Sequence, residues 1–534
     1  MDCIATRLPY RQTKYFNKII LDYIDQNESL QFAYQHPVSV KGIQSAIESR
    51  KKFKTDRKLL VEVLKKQYAD LPSSAKVNAN IESLLSENTF TISSAHQTNI
   101  FTGPLYFIYK IIHSIRLAEQ LSHTLPENNF VPVFYIGSED ADLDELNHVW
   151  VAGEKLTWHT DQNGAVGRML IDKELIKILD TMEGSLSVLP HGKEIVSQMR
   201  NAYSIGKTIQ DATFHFVHSI FAEYGLVILL PDYRDLKGKM QQVFEDDLFI
   251  QSAAGIVENA TKELTKAGYK VQAHPREINL FYLKDNIRER IVEKNGEYAV
   301  LNTDLKFSKQ TLLTLLKDHP EYFSPNVILR GLYQETILPN IAFIGGGGET
   351  AYWLQLKNLF EYYKTPFPVL VLRNSFQVLE KKWFEKINKL GLNVDDFFLG
   401  EQALSNKMLS IESKLNLSLA KQLNDLTAIY AEIKNQATAI DKTLEKHVAA
   451  LAERAKYRVG ELEKKMIRVE KRKYITQKKS IQTINNAIFP SGSLQERKEN
   501  LSYFYALWGN NFIKKLYENS LALEQEFVVL TEIK

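Results

Sequence analysis

The sequence predicts an α/β protein whose core is a doubly wound, mostly parallel sheet with helical insertions, followed by a C-terminal α-helical coiled-coil arm. Two observations support this. Short apolar runs rich in β-forming residues alternate with helical stretches before Gly400, as expected of βαβ units. A proline-free region with apolar residues at heptad spacing follows Gly400, as expected of a coiled coil.

Seven apolar runs are predicted to be strands of the core. Several are apolar on both faces, which is typical of strands covered by helices on both sides. The segment 25–86 reads as helical and is predicted to be an insertion or a cover for the sheet. The seven runs are Thr89–Ser93, Val131–Ile136, Leu226–Leu230, Ile278–Leu283, Val327–Leu329, Ile341–Ile344 and Val369–Leu372.

The arm is predicted from a seam of apolar residues at alternating steps of four and three, which runs from Leu419 to Leu451. A single helix continuing to Val469 would reach roughly 75 Å at ~1.5 Å per residue. An antiparallel hairpin is more economical, with a turn at Asp441-Lys442-Thr443. Pro490 ends the arm.

The length of 534 residues is too great for one compact core. We predict three parts, a catalytic α/β core over residues 1–400, the arm over 401–489, and a segment over 490–534. The aromatic residues of that last segment are expected to pack back on the core.

Charge and cysteine content narrow the class of protein. The 67 basic residues nearly cancel the 64 acidic ones, so no general attraction to nucleic acid or anionic lipid is expected. The one cysteine, Cys3, excludes an intramolecular disulfide and a cysteine-rich zinc site. The apolar runs are strand-sized, and the N-terminus lacks the apolar region of a signal peptide. We therefore expect a cytoplasmic protein with no membrane partner.

Open α/β sheets bind ligands beyond the carboxyl ends of their strands, so the loops after the strands are the candidate site. The first loop offers His96, Gln97 and Asn99 as polar contacts, and Thr102 and Gly103 before a predicted helix. Free N–H groups at that helix start would attract an anion. The alternative is a capped loop in which the histidine bonds the backbone.

The loop after the second strand is acidic. Its carboxylates could hold an ammonium group, a Mg²⁺ ion or act as a general base. The alternative is an acidic helix N-terminus favoured by the helix dipole, which suits Asp144 and Glu145 better than Glu139 and Asp140. Together with Asp142, these residues make five acidic side chains in this loop.

A run of four glycines, Gly345–Gly348, precedes Glu349 and a predicted helix. Such a run indicates a tight turn or a backbone that cradles a ligand, and we place Gly346, Gly347, Gly348 and Glu349 in the anion-binding site. It is neither G-x-G-x-x-G nor a Walker loop.

Arg330 and Arg373 each close a predicted strand and could bind a carboxylate or phosphate with two hydrogen bonds. The alternative for these arginines is a salt bridge to Glu335 or Glu349.

Four segments resemble the cysteine-adding enzymes of bacillithiol biosynthesis, the cysteine ligase family. They occur in the family's order, and the heptad region lies where the family has its coiled coil. The chain departs from the family's usual residues at Ala95, Ala141 and Gly347. The four segments are Ala95–Gln97 with Phe101–Tyr106, Pro132–Ile136 with Glu139-Asp140 and Asp144–His148, Ile337–Pro339 with Gly348–Trp353, and Leu494–Arg497.

The resemblance implies a Rossmann-like core related to class I synthetase and nucleotidyltransferase folds, and a homodimer formed through the coiled coil. It implies addition of cysteine to glucosaminyl-malate, with ATP and Mg²⁺ as the expected activating partner. An anion would lie at the His96–Gly103 loop and the glycine run, and Glu139 and Asp140 would hold an ammonium group or activate the amine. Arg330 or Arg373 would clamp a carboxylate. The alternatives are a nucleotidyl-transfer or adenylate-forming enzyme with another substrate, and a non-catalytic coiled-coil scaffold.

Overall fold

The computed structural model describes residues 2–412, 418–471 and 475–533. Its strands are β1 Cys3–Pro9, β2 Thr89–Gln97, β3 Asn129–Gly137, β4 His148–Val151, β5 Glu154–Thr157, β6 Val227–Leu229, β7 Leu280–Lys284, β8 Ile287–Lys294, β9 Glu297–Val300, β10 Lys306–Phe307, β11 Phe323–Pro325, β12 Asn340–Gly345, β13 Val369–Leu372, β14 Ser375–Leu379 and β15 Glu526–Glu532.

The α-helices of the described residues are α1 Tyr10–Thr13, α2 Lys18–Ile24, α3 Val40–Lys51, α4 Arg57–Gln67, α5 Ala75–Ser83, α6 Tyr106–Thr124, α7 Leu143–Leu146, α8 Lys173–Leu186, α9 Gly192–Ala202, α10 Ile209–Phe221, α11 Arg234–Lys237, α12 Gln241–Phe249, α13 Ser252–Lys266, α14 Lys309–Asp318, α15 Val327–Ile337, α16 Gly347–Trp353, α17 Lys357–Tyr362, α18 Lys381–Lys389, α19 Glu401–Glu412, α20 Ala420–Ile440, α21 Leu444–Lys471, α22 Ile475–Ile488, α23 Leu501–Trp508 and α24 Asn510–Asn519.

The chain divides into two compact units. The α/β unit comprises Met1–Leu379 and Gly492–Lys534, and the helical unit comprises Glu380–Ser491. Among the described residues, no helix is both long and apolar enough to span a lipid bilayer.

The central sheet of the α/β unit is parallel throughout, in the order β13-β12-β2-β3-β6. Its middle strands are buried along almost their whole length, which explains why the sequences of β3 and β12 are apolar on both faces. Of these five strands β2 comes first in the chain, and the later strands are added on either side of it. The order in which strands are added to the sheet therefore reverses between β2 and β12, and a crevice opens at the carboxyl ends of these two strands. The predicted doubly wound sheet is confirmed.

Three further sheets lie in the α/β unit, the smallest of which is the antiparallel pair β4-β5. The strands β10-β9-β8-β7-β11 form an antiparallel sheet, which includes the run predicted at Ile278–Leu283. The first and last strands meet in the order β1-β15-β14, where β15 pairs antiparallel with β1 and parallel with β14. The two ends of the α/β unit are thereby joined in one sheet.

One predicted strand is wrong. Val327–Leu329 is the first turn of α15, whose start is capped by the Asn326 side chain accepting a hydrogen bond from the Ile328 amide at 2.8 Å. A short apolar run fits a buried helix as well as a buried strand, and here the cap decides between them. Arg330 consequently lies on a helix rather than at a strand end.

The antiparallel hairpin in the helical unit is confirmed. The helix α20 ends at Ile440, and the Thr443 amide donates to Asp441 Oδ1 at 2.8 Å in the turn before α21. Lys434 pairs with Glu445 at 2.8 Å close to the turn, as expected for helices that run in opposite directions. Many apolar side chains of the hairpin stay exposed, among them Ile429 at 52% and Ile440 at 84%.

The aromatic residues near the C-terminus return to the core of the α/β unit, as predicted. Phe504, Tyr505 and Phe512 are buried in the cluster that also contains Phe107 of α6. The helix α23 that carries the first two begins where the Asn500 side chain accepts a hydrogen bond from the Ser502 amide at 2.9 Å.

Candidate active site

A cavity of about 790 Å³ opens at the carboxyl ends of β2, β3 and β12. Its position beside the reversal between β2 and β12 is where an open α/β sheet binds its ligand. Ten of the thirteen predicted site residues line it, namely His96, Gln97, Glu139, Asp140, Arg330, Gly346, Gly347, Gly348, Glu349 and Arg373. The remaining lining residues include Tyr106, Lys110, Tyr135, Ser138, Glu145, Arg288, Asn326, Tyr352 and Arg497.

A buried lysine joins the first loop to the glycine run. Lys110 Nζ donates to the Ala95 carbonyl at 2.8 Å, lies 3.4 Å from His96 Nδ1 and forms an ion pair with Glu349. Burial lowers the pKa of Lys110 to about 8, an effect that Glu349 opposes. The same burial, with the neighbouring cations, holds the pKa of His96 well below its usual value, so that its imidazole is neutral. Lys110 was missed from the sequence because it lies within the helix α6, away from the loops.

The glycine run presents bare backbone to the cavity. The Gly346 amide donates to Glu349 Oε2 at 2.9 Å, which caps α16. None of the four glycines has a positive φ, so backbone strain does not require them. A Cβ on Gly346 would lie 3.6 Å from Arg373 Nε, and one on Gly348 would meet nothing within 4 Å. The glycines therefore leave room beside the backbone, as a ligand needs.

The two predicted arginines have different partners. Arg373 is almost fully buried and forms a bidentate ion pair with Glu496, at 2.9 and 2.7 Å. Arg330 donates to Tyr352 OH at 2.5 Å and lies 4.0 Å from Glu349. The suggested partner Glu335 is instead paired with Arg50 at 2.7 Å, away from the cavity.

The acidic loop divides into two groups. Glu139 is 8% exposed and ion-paired with Lys237, which also binds Asp232 Oδ1 at 2.9 Å. Burial raises the pKa of Glu139, and the ammonium of Lys237 opposes that effect. Asp140 accepts a hydrogen bond from Gln97 Nε2 at 3.0 Å.

The later carboxylates fit the helix-cap alternative. Asp142 caps α7 by accepting a hydrogen bond from the Glu145 amide at 3.2 Å, and Asp144 and Glu145 form its first turn. Lys237 and Asp232 were missed because they follow β6, whose loop carries no motif.

Three predicted residues lie beside the cavity rather than on it. Asn99 lines a neighbouring cavity of about 110 Å³. Thr102 is fully buried, and the Gly103 carbonyl accepts a hydrogen bond from Asn500 Nδ2 at 2.6 Å. The Leu105 amide donates to the Glu499 carbonyl at 2.8 Å, so this N–H at the start of α6 is already bonded within the protein. These residues hold the first loop in place.

Two family models together match almost the whole chain. The model described as "Bacillithiol biosynthesis BshC, N-terminal Rossmann-like domain" matches residues 2–374, and "Bacillithiol biosynthesis BshC, C-terminal coiled-coil domain" matches residues 376–532.

Curated relatives match the chain end to end. Proteins of Cytophaga hutchinsonii and Flavobacterium psychrophilum are 39% and 38% identical, covering 96% and 99% of this chain and the same shares of their own. A protein of Bacillus cytotoxicus is 25% identical over 94% of this chain and 96% of its own. All three carry the name "Putative cysteine ligase BshC". With both models matched and relatives this similar along the full length, the chain belongs to the BshC family of bacillithiol biosynthesis.

Proposed function

We propose that this protein is a ligase that joins the carboxyl group of cysteine to the amine of glucosaminyl-malate, the last step of bacillithiol biosynthesis. The observation that carries the proposal is the composition of one cavity. Cationic Lys110 and Arg330 and the bare glycine backbone line the cavity together with the carboxylates Glu139 and Asp140. An amide-forming enzyme needs both, a place for an anion and a place for an amine.

A free carboxylate must be activated before an amine can displace one of its oxygens, and ATP with Mg²⁺ supplies that activation when bound. The residues present fit such a group. Lys110, Arg330 and the open backbone at Gly348 can receive phosphate oxygens. Among the described residues, no group of three or more potential metal ligands stands together. Mg²⁺ usually binds through substrate phosphates with one or two carboxylates, and Asp140, which accepts hydrogen bonds only from neutral groups, could supply one of them.

The chain's own residues suit the remaining steps. The neutral His96 and the ammonium of Lys110 can stabilise negative charge that develops on the reacting carboxyl group. The attacking amine must be unprotonated and must lose a proton as the amide forms. Asp140, half-exposed and close to Glu139, can bind the amine and accept that proton.

The exposed apolar side chains of the α20–α21 hairpin support a homodimer formed through this arm. Several apolar side chains of the two helices are exposed even though Val448 is buried, and Ile429, Ile433 and Ile440 are 52%, 42% and 84% exposed. A second copy of the hairpin would cover an apolar stripe of the same kind. We place the protein in the cytoplasm, where the reducing environment keeps both the substrate and product thiols free.

The direct test supplies the purified protein with cysteine, ATP, Mg²⁺ and glucosaminyl-malate. Mass spectrometry should find a product equal to cysteine plus glucosaminyl-malate less one water. In the organism, deletion of the gene should abolish bacillithiol and cause glucosaminyl-malate to accumulate. No condensation product in the first experiment and normal bacillithiol in the second would together refute the proposal.

A further inference from the structure

The cavity has a second wall that the parallel sheet does not form. It comes from the antiparallel sheet, where Arg288 on β8 faces the cavity. Its guanidinium lies over the Phe281 ring of β7 at 4.0 Å, and its Nε donates to Ser324 Oγ of β11 at 3.2 Å. Stacking and this hydrogen bond fix the plane of the guanidinium, with its two terminal nitrogens left for another group.

Those terminal nitrogens have no anionic partner among the described residues, because no carboxylate oxygen there lies within 4.0 Å of the Arg288 guanidinium. Two other arginines of the α/β unit differ. Arg373 is bound to Glu496, and Arg168 to Asp232 at 2.7 and 2.9 Å.

Burial lowers the pKa of Arg288, with Asp140 and Glu139 as more distant opposing charges. Those two carboxylates are already engaged by Gln97 and Lys237. A desolvated cation without a close counterion is costly, and an anionic ligand would relieve that cost.

We propose that Arg288 is a specificity-determining residue that binds a carboxylate of the amine substrate with its two terminal nitrogens. This rests on the proposed function, since glucosaminyl-malate carries two carboxylates that take no part in amide formation. The planar fork of an arginine matches a carboxylate in geometry as well as charge. The strand β8 belongs to a different sheet from the strands whose ends carry His96 and Glu139. The contact with Arg288 therefore binds a part of the substrate that is remote from the reacting atoms.

The experiment measures KM and kcat for Arg288→Gln and Arg288→Lys with each substrate varied in turn. Loss of a charge-assisted hydrogen bond costs about 1.5–3 kcal/mol, which corresponds to roughly a 10- to 150-fold rise in KM for glucosaminyl-malate in Arg288→Gln. The values of kcat and of KM for ATP and cysteine should stay within about threefold of the parent, as expected when the lost contact is equally strong in the ground state and the transition state. Arg288→Lys keeps the positive charge but lacks the two-pronged guanidinium. Its KM for glucosaminyl-malate should therefore lie between those of the parent and Arg288→Gln.

A substrate without carboxylates isolates the contact. With methyl glucosaminide as the amine, the parent and Arg288→Gln should have the same kcat/KM within about twofold, since neither can use the arginine. Arg290→Gln is the matched control, because Arg290 lies on the same strand but does not line the cavity. It should leave every constant unchanged. Melting temperatures of all variants monitor the fold.

Calorimetry measures the binding of glucosaminyl-malate directly, so it tests the role of Arg288 whether or not the protein forms an amide. Tight binding to the parent that weakens about tenfold or more in Arg288→Gln supports it even if no amide forms, in which case only the proposed reaction fails. A raised KM for ATP in place of glucosaminyl-malate would make Arg288 a phosphate contact and overturn the inference. Unchanged affinity for glucosaminyl-malate, or a lowered melting temperature with no change in KM, would overturn it as well.

Discussion

The buried chain of charges at the end of β3 gives a prediction that separates a catalytic role from a structural one. Glu139 is paired with Lys237, which is fully buried and also bound to Asp232, and Asp232 is held in turn by Arg168. We consider Glu139→Gln, which removes one negative charge and keeps the shape of the side chain. Asp140→Asn is the matched variant on the neighbouring residue.

The expected loss of stability follows from what each variant leaves behind. Removing one partner of a buried ion pair costs ~3–5 kcal/mol, but the glutamine keeps an acceptor oxygen and Lys237 keeps Asp232 at 2.9 Å. We therefore expect Glu139→Gln to lower the free energy of unfolding by about 1.5–3 kcal/mol. Asp140 is half-exposed and bonded only to neutral groups, so Asp140→Asn should change it by about 0.5 kcal/mol or less.

The expected loss of activity runs differently. Loss of a charge-assisted contact to the amine would cost roughly 10- to 150-fold in kcat/KM, and loss of a general base roughly 10²–10⁴-fold with a changed pH profile. We expect the two variants to differ from each other by about tenfold or more, with the larger effect at the residue that touches the amine. The assay is amide formation followed across pH, with melting temperatures in parallel.

A double variant distinguishes the two kinds of loss. Glu139→Gln combined with Lys237→Met removes the positive charge that the single variant leaves in excess, while Arg168 keeps Asp232 paired, so the free energy of unfolding should recover by about 1 kcal/mol or more. Activity should not recover if the carboxylate meets the substrate. Recovery of activity together with stability would refute a catalytic role for Glu139. Turnover within about twofold of the parent in both Glu139→Gln and Asp140→Asn would show that this loop is only a helix cap.

Three further outcomes are expected. His96→Ala should abolish most of the activity while leaving the melting temperature close to that of the parent, whereas Asn99→Ala, outside the cavity, should lower the melting temperature and the activity together. A fall in melting temperature that matches the loss of activity in His96→Ala would instead assign His96 to the loop structure. Replacing residues 403–488 with a short linker should leave a monomer by light scattering, and a persistent dimer would contradict dimerisation through the arm. His113 should cost the protein stability in acid, because burial lowers its pKa from 6.5 to about 4 and its neutral ring both bonds the Ala522 carbonyl and accepts the Asn374 amide. As the pH falls, the unfolded state binds the proton before the folded state does. The free energy of unfolding should therefore decrease by up to about 3 kcal/mol between pH 6.5 and pH 4. Urea titrations at several pH values should show this decrease in the parent and not in His113→Gln.

Loops at strand ends were predictable because the rule that locates them needs only the order of strands. His96, Glu139 and the glycine run each follow a strand whose apolar residues are local in sequence. The places of Lys110 and Arg288 in the site could not be predicted from the sequence. Lys110 lies inside a helix, and Arg288 lies on a strand with charged neighbours. Neither position is marked by any local pattern.

Local patterns thus account for the parallel core, the hairpin and the edge of the sheet that carries the cavity, because periodic burial and turn chemistry are properties of short segments. The partners of the charges are a different matter. Arg373 meets Glu496 from the far end of the chain, and Glu139 meets Lys237 from beyond three intervening strands. Which charges are neutralised within the protein and which are left for a ligand depends on residues about a hundred or more positions apart in the chain. At such separations the spacing in the sequence does not indicate the distance in space.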